Sequence, residues 1–458
     1  MINFNLRALL YLILKIFVNT FYRIFYRFEY RGLKQIPCGK PIVLAPNHVN
    51  AFMDPVILAM LMKQDVHFFA RGDVFKKPIA KWILHKINMF PMYRLQEGYA
   101  EVKKNDKTFE VCRTLLSDNK TILMFPEGIC IMERRLKPLK KGLSRIIFQT
   151  EESFDFKKDV LVVPVGLNYS DAPKFRSKLF IDCGEPISIK EYEERYKQDK
   201  VRAINEFTKV LEQKMSERLI IIKNKDNDAL VTALEHIYLN EWMREKKVDI
   251  NNLECQYEAI RDMAAMVNMM DEEERELVQS LREKTADYIK LLYKNKLRDH
   301  LLHPAAISKM SFKSFMLDCF IIYSGMLFYW AGMLVNYLPY YMAKKIAQKK
   351  VKNIEFMASM YMNMTMFFWL FYFALQLIIV GLLFHSWLIL LVYAGLVVAL
   401  GFFVLKFQPA MKKIFGRWRL LRMVRKDRPT LEQLSKQRAE IISEIQEMKD
   451  VFVSSLIR

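Results

Sequence analysis

The chain has 458 residues, enough for roughly two or three domains, and its 71 Lys and Arg against 50 Asp and Glu leave a net charge of +21. Such an excess points to an anionic partner; with 52% hydrophobic residues, 13% aromatic ones and 27 Met, an anionic membrane lipid is expected and nucleic acid is not. The six Cys are scattered without C-x-x-C spacing or an adjacent His, which signals neither a zinc site nor a disulfide framework and implies a reducing compartment.

An apolar run at residues 9–18 is interrupted by Lys15, is followed by Arg23 and Arg27, and has no small-residue cleavage site. It reads as an amphipathic helix in the membrane interface over residues 1–28 rather than as a signal peptide, with a short spanning insertion as the alternative. From about residue 29 to 215, short apolar runs at 42–45, 66–70, 89–93, 121–125, 160–165 and 179–183 alternate with amphipathic helical stretches. That alternation predicts an α/β sheet.

Four blocks in this region carry chemistry. The first, Asn47-His48 followed by Asp54-Pro55, lies where a buried strand gives way to a helix, the place where open α/β sheets hold their sites. If Asp54 accepts from one ring nitrogen of His48, the other is free to take a proton from a substrate hydroxyl. The plain alternative is that Asp54 caps a helix with Pro55 at its first position.

The second block, residues 89–94, ends a strand with Arg94, whose planar fork suits a phosphate, although Arg is also an ordinary surface residue. The third runs Phe125-Pro126-Glu127-Gly128 into Arg134, Arg135, Lys137, Lys140 and Lys141, a turn plus cations that fits a phosphate or phosphopantetheine group, or a lipid-facing basic patch. The fourth is an apolar strand end, Val163-Pro164-Val165-Gly166, in which Gly166 would permit a ligand to approach closely.

Residues 216–310 are helical in pattern, polar and without a catalytic motif; His236, His300 and His303 lack partners at ligand spacing. Residues 311–410 are the membrane region. Runs at 364–384 and 387–407 are each long enough to cross a bilayer and read as a transmembrane hairpin around His385-Ser386. Basic stretches at 344–352 and 412–426 favour two crossings, which keep both and the soluble domain on the cytoplasmic side, with the apolar run at 315–338 re-entrant or interfacial. The basic tail, 411–458, contains the capping box Thr430-Leu431-Glu432-Gln433 and apolar residues at three- and four-residue steps. It reads as a helix packed on its own protein, with a weak coiled coil as the alternative.

In this order, the four blocks resemble the glycerolipid acyltransferase superfamily, the enzymes that acylate glycerol 3-phosphate and 1-acylglycerol 3-phosphate, over about residues 30–188. The Ala70-Arg71-Gly72-Asp73-Val74-Phe75 run and the form of the first block look most like the fungal-type glycerol 3-phosphate and dihydroxyacetone phosphate branch. The resemblance implies an acyltransferase-type mixed sheet flanked by helices over 29–215. It makes His48 the base and Asp54 its orienting acid, and it places acceptor binding on Asn47, Arg94, Phe125, Pro126, Glu127, Gly128 and Pro164. Arg134, Arg135 and Lys137 are expected as phosphate ligands not from the resemblance but from the cations after the third block, in place of the family's usual clamp, unless the acceptor differs.

Two departures are visible. The gap between His48 and Asp54, residues 49–53, is one residue longer than the family's commonest spacing, and Ile129-Cys130-Ile131 stands where Thr-Arg-Ser often follows Phe-Pro-Glu-Gly. The expected reaction is acyl transfer from acyl-CoA or acyl carrier protein to a phosphorylated glycerol acceptor in phospholipid synthesis, with no metal and no cofactor. The alternatives are an acyltransferase acting on a non-glycerol monoacyl lipid and a scaffold that kept the fold and lost the activity. A lipase is not expected, because no G-x-S-x-G elbow occurs.

Overall fold

The computed structural model describes residues 6–92, 105–303 and 312–457. The chain divides into two compact units: residues up to Ile221 together with Lys352–Ser359, and Ile222–Val351 together with Met360 onward.

The first unit is a mixed sheet covered by helices, as the alternating pattern predicts. Its strands are β1 (Tyr26–Arg31), β2 (Ile42–Pro46), β3 (Val66–Arg71), β4 (Met89–Met92), β5 (Thr121–Leu123), β6 (Leu161–Tyr169), β7 (Ser177–Cys183) and β8 (Ile187–Ser188), in the order β1-β7-β6-β2-β5-β3-β4, with β8 beside β6. Strands β6, β2, β5, β3 and β4 run parallel, and β7 returns antiparallel to β6. The helices are α1 (Leu6–Phe25), α2 (Met53–Leu61), α3 (Pro78–Lys86), α4 (Asn105–Ser117), α5 (Gly142–Ser153), α6 (Glu193–Gln198) and α7 (Lys200–Ser216).

Strand β2 is apolar throughout and buried at every position, as a central parallel strand covered on both faces must be. Val43 and Ala45 turn to one face with Ile122 and Val162, and meet Cys112 and Leu116 of α4, Ile146 and Phe148 of α5 and Phe207 of α7. Phe148 stacks on Tyr196 at 4.8 Å and meets Phe207 edge-on at 5.7 Å. Because β2, β5 and β6 are parallel neighbours, their carboxyl ends share one edge of the sheet. The first, third and fourth blocks therefore arrive together.

The expected N-terminal helix ends earlier than residue 28. Helix α1 stops at Phe25 and the chain enters β1, an edge strand parallel to β7 from Tyr26 opposite Ser177 to Arg31 opposite Asp182. The signal was in the sequence: Tyr26, Phe28 and Tyr30 alternate with Arg27, Glu29 and Arg31, a period of two rather than 3.6. Arg31 holds the edge by a forked pair to the buried Asp182, at 2.9 and 2.8 Å.

Gly166 has a use different from the expected one. A Cβ there would sit 2.0 Å from the backbone oxygen of Arg218, so the space is taken by the chain itself and not by a ligand. Gly166→Ala is expected to lower stability by about 1–3 kcal/mol through overpacking, read as a fall in the thermal midpoint. An unchanged midpoint would show that the 216–220 segment gives way freely.

The second unit contains α8 (Asp228–Ile237), α9 (Leu239–Glu245), α10 (Leu253–Glu273), α11 (Arg275–Lys294), α12 (Phe312–Lys350), α13 (Met357–Phe384), α14 (Trp387–Lys426) and α15 (Arg428–Ile457). Among the described residues three helices, α12, α13 and α14, are long and apolar enough to cross a membrane. Helix α12 runs unbroken through the stretch expected to be re-entrant or interfacial, which speaks against the first of these. A re-entrant segment must fold back on itself, and this one does not.

Helices α12 and α14 pack antiparallel: Asp318 pairs with Arg417, and Asn336 donates to the Val397 carbonyl at 3.1 Å. The basic stretches 344–352 and 412–426 thus lie at opposite ends of this pair, contrary to the arrangement expected from charge alone. The C-terminal helix α15 packs on its own unit, as read from the sequence. Leu434, Ile441, Ile445 and Met448 are buried, and Arg438 reaches Asp299 and Glu241. Its apolar stripe is consumed there rather than in a coiled coil.

Candidate active site

The site sits at the carboxyl end of β2. Asn47 follows the strand, and its side chain extends the sheet: Oδ1 accepts from the Leu167 N–H at 2.7 Å and Nδ2 donates to the Leu167 carbonyl at 3.2 Å. Expected as a substrate ligand, Asn47 is buried with its amide spent on the backbone of β6. It fixes the loop that carries His48.

His48 Nδ1 lies 3.0 Å from Asp54 Oδ2. The same oxygen accepts from the backbone N–H groups of Val49 at 2.9 Å and Asn50 at 2.7 Å, so Asp54 bonds back to the loop instead of capping its own helix. The longer spacing is absorbed by that loop, in which Ala51 adopts a positive φ of 34°. Asp54 is fully buried whereas the His48 side chain retains 14% of its exposure. A carboxylate acceptor on Nδ1 places the imidazole proton there and leaves Nε2 as the basic atom.

Phe125 from the third block stacks on the imidazole, centroids 3.7 Å apart and planes 16° from parallel. The buried Glu127 bridges two backbones: Oε1 accepts from the His48 N–H at 2.9 Å and Oε2 from the Lys137 N–H at 3.0 Å. Burial pushes its carboxyl above the usual range, against those two bonds. Both oxygens thus hold the His48 loop against the 126–137 segment, which gives Glu127 a positioning role at the site. Glu127→Ala is expected to cost about 2–4 kcal/mol, since two buried N–H groups lose a charged acceptor, and to lower kcat more than it changes KM. An unchanged kcat would remove Glu127 from the positioning of His48.

Pro126 accepts the Lys140 N–H at 2.7 Å. Gly128 closes a tight turn at a φ of 66°, donating to the Phe125 carbonyl at 3.1 Å. The cations gather less freely than the sequence implied. Lys137 Nζ and Arg135 Nε both bind Glu133 Oε2, at 2.6 and 3.2 Å, and Arg134 donates to the Ser170 carbonyl at 3.2 Å. Lys137 chiefly, with Arg135, holds the Glu133 carboxyl below the usual range against the cost of burial. Pro164 is buried within β6 opposite Ala45. Arg94 lies outside the described residues; the block that bears it enters as β4, parallel with β3.

Two participants carry no signal in the sequence. Tyr169, at the end of β6, donates its hydroxyl to Asp54 Oδ1 at 2.9 Å. Burial, and then the Asp54 charge, push its pKa well up, so it stays a donor. Cys130 accepts the Ala51 N–H at 3.2 Å, and burial, with the Asp54 charge next, pushes its thiol up to about 12. It is therefore not a thiolate nucleophile at neutral pH. Among the described residues no three His, Cys, Asp or Glu side chains gather as metal ligands.

Residues 27–168 match the family model described as Acyltransferase. The chain is 25% identical over 158 residues to the chloroplastic 1-acyl-sn-glycerol-3-phosphate acyltransferase of Brassica napus, covering 34% of this chain and 42% of that protein. It is 33% identical over 112 residues to glycerol-3-phosphate O-acyltransferase 2 of Saccharomyces cerevisiae, covering 24% of this chain and 15% of that one. The same yeast's glycerol-3-phosphate O-acyltransferase 1 is 25% identical over 130 residues, 28% and 17% of the two chains. The aligned stretch thus spans less than half the length of each relative. The crystal structure of the 1-acyl-sn-glycerophosphate acyltransferase from Thermotoga maritima aligns at 18% identity and a TM-score of 0.30, over 44% of this chain and 78% of that one. By its four blocks, the family match and these relatives, the domain at residues 27–168 is of the glycerolipid acyltransferase superfamily.

Proposed function

We propose that the protein is a membrane-bound O-acyltransferase that moves a fatty acyl group from a thioester, acyl-CoA or acyl carrier protein, to a hydroxyl of glycerol 3-phosphate or 1-acylglycerol 3-phosphate. The observation that carries this reading is the 3.0 Å contact of His48 Nδ1 with the buried Asp54, which leaves Nε2 as the free nitrogen of a partly exposed ring.

In the proposed reaction Nε2 removes the acceptor's hydroxyl proton as that oxygen attacks the thioester carbonyl. Asp54 stabilises the imidazolium that forms. The tetrahedral intermediate collapses with rupture of the C–S bond, and the departing thiolate takes the proton back from Nε2. The ester is then complete, with no acyl group ever on the enzyme. The cations Arg134, Arg135 and Lys137 follow the third block, which supports a phosphorylated acceptor, and Arg94 is assigned to the same phosphate from its block. The three apolar helices of the second unit suit a lipid product.

The test offers detergent-purified protein each donor with each acceptor in turn and follows ester formation. Turnover with one glycerol phosphate acceptor fixes the step. Silence with every pair, from folded protein, would replace this reading with a non-glycerol acceptor or an inactive scaffold.

A further inference from the structure

The second unit holds a cavity of about 320 Å³ that the acyl-transfer chemistry does not use. It lies between the segment after α11 and the membrane-distal part of α14, and Lys296, Arg298, Lys412, Lys413 and Arg419 line it with His300. Among the described residues no carboxylate lines this cavity, and none pairs with any of these five cations. The adjacent Asp299 is committed elsewhere, to Arg438 and to the Tyr288 hydroxyl.

The cavity is built rather than incidental. Gly416 of α14 faces Leu301 so closely that a Cβ would come within 2.9 Å of its Cδ1, and this lack of a side chain lets the 296–301 segment settle on the helix. Arg419 is tied to that segment by a bond to the Lys296 carbonyl at 3.0 Å. Phe415 supplies an apolar wall. Five like charges around one space repel one another, and among the described residues no carboxylate in the lining offsets them.

Position narrows the ligand. The apolar run of α14 ends near Phe407, and at 1.5 Å per residue Lys412 lies about 7 Å further along the helix, the depth of lipid phosphates beside a spanning segment. We propose that this cavity is a binding site for a phosphate group, as borne by an anionic phospholipid headgroup, distinct from the acceptor site at His48. His300 contributes a neutral ring, since burial, and then the charges of Arg298 and Lys413, push its pKa down.

The experiment titrates the full chain, in neutral detergent, with dioctanoyl phosphatidylglycerol, dioctanoyl phosphatidylcholine and inorganic phosphate, and reads the thermal midpoint. A ligand that binds only the folded protein raises it with concentration. Phosphatidylglycerol is expected to raise the midpoint and phosphatidylcholine is not. In Lys412→Gln/Lys413→Gln the response is expected to need about 25-fold more lipid, at about fivefold per cation. Lys412→Arg/Lys413→Arg is expected to respond like the wild type. Without ligand the Gln variant should be no less stable than the wild type, because its loss relieves repulsion. An equal response to inorganic phosphate at the same concentrations supports the site with a free anion as its ligand. No response in the wild type, or an undiminished one in the Gln variant, overturns it. None of these outcomes depends on whether His48 is a base.

Discussion

His48→Ala is expected to lower kcat for acyl transfer by about two to four orders of magnitude, the range of a general base, while the fold survives. The argument for survival is local. When the imidazole is removed, Asp54 Oδ2 still accepts from the Val49 and Asn50 N–H groups, and Oδ1 from Tyr169, so no buried charge is orphaned. The backbone bonds of residue 48, its N–H to Glu127 and its carbonyl from Ile131 at 3.1 Å, do not depend on the side chain. The stack on Phe125 and the 3.0 Å contact with Asp54 are lost. A stability cost of about 1 kcal/mol is expected from such a stack, measured by thermal unfolding beside the rate. Retained turnover would exclude His48 as the base.

Arg438→Leu is expected to have the largest effect on stability. Arg438 and Asp299 are both buried, joined at 2.9 and 3.2 Å, and Arg438 also holds Glu241 at 3.0 Å. Removing the cation leaves Asp299 with the Tyr288 hydroxyl alone, at 2.6 Å. Breaking a buried pair from one side costs about 3–5 kcal/mol, whereas replacing both partners by apolar residues costs far less. Arg438→Leu/Asp299→Leu should therefore recover much of the loss.

Burial already raises the Asp299 carboxyl above its usual range despite Arg438, and the single variant raises it further. A carboxyl whose pKa is higher folded than unfolded costs stability as the pH rises between the two values. The deficit of Arg438→Leu should accordingly shrink on acidification. A deficit below about 1 kcal/mol at neutral pH, where an exposed pair would fall, would show that α15 is not anchored by this pair.

The parts of the molecule legible in the sequence are those fixed by near neighbours. An apolar run such as residues 42–45 must be a covered strand, and a His and an Asp in one short loop after it can meet without help from elsewhere. Tyr26 to Arg31 was equally local, but the cations Arg23 and Arg27 carried the helical reading past the point where the period changes from 3.6 to two.

The contacts that hold the dyad are of another kind. Tyr169 reaches Asp54 across 115 positions, and Glu127 reaches the His48 backbone across 79. A Tyr ending a strand and a Glu in a turn look the same whether or not they have such partners. Glu127 and Asn47 were drawn to the substrate because their block was; in the fold their polar atoms face backbone. The basic stretch 412–426 likewise bore on the number of crossings, but the cavity it lines with the 296–301 segment depends on contacts more than 100 positions apart.

The most direct test of the central claim is thioester consumption by the purified protein, followed in a rapid-mixing experiment with and without a glycerol phosphate acceptor. Direct transfer predicts consumption that requires the acceptor, without a burst in its absence, and that His48→Ala abolishes. A stoichiometric burst of thiol release without acceptor would mean an acyl-enzyme forms and would contradict His48 as a base acting on the acceptor hydroxyl.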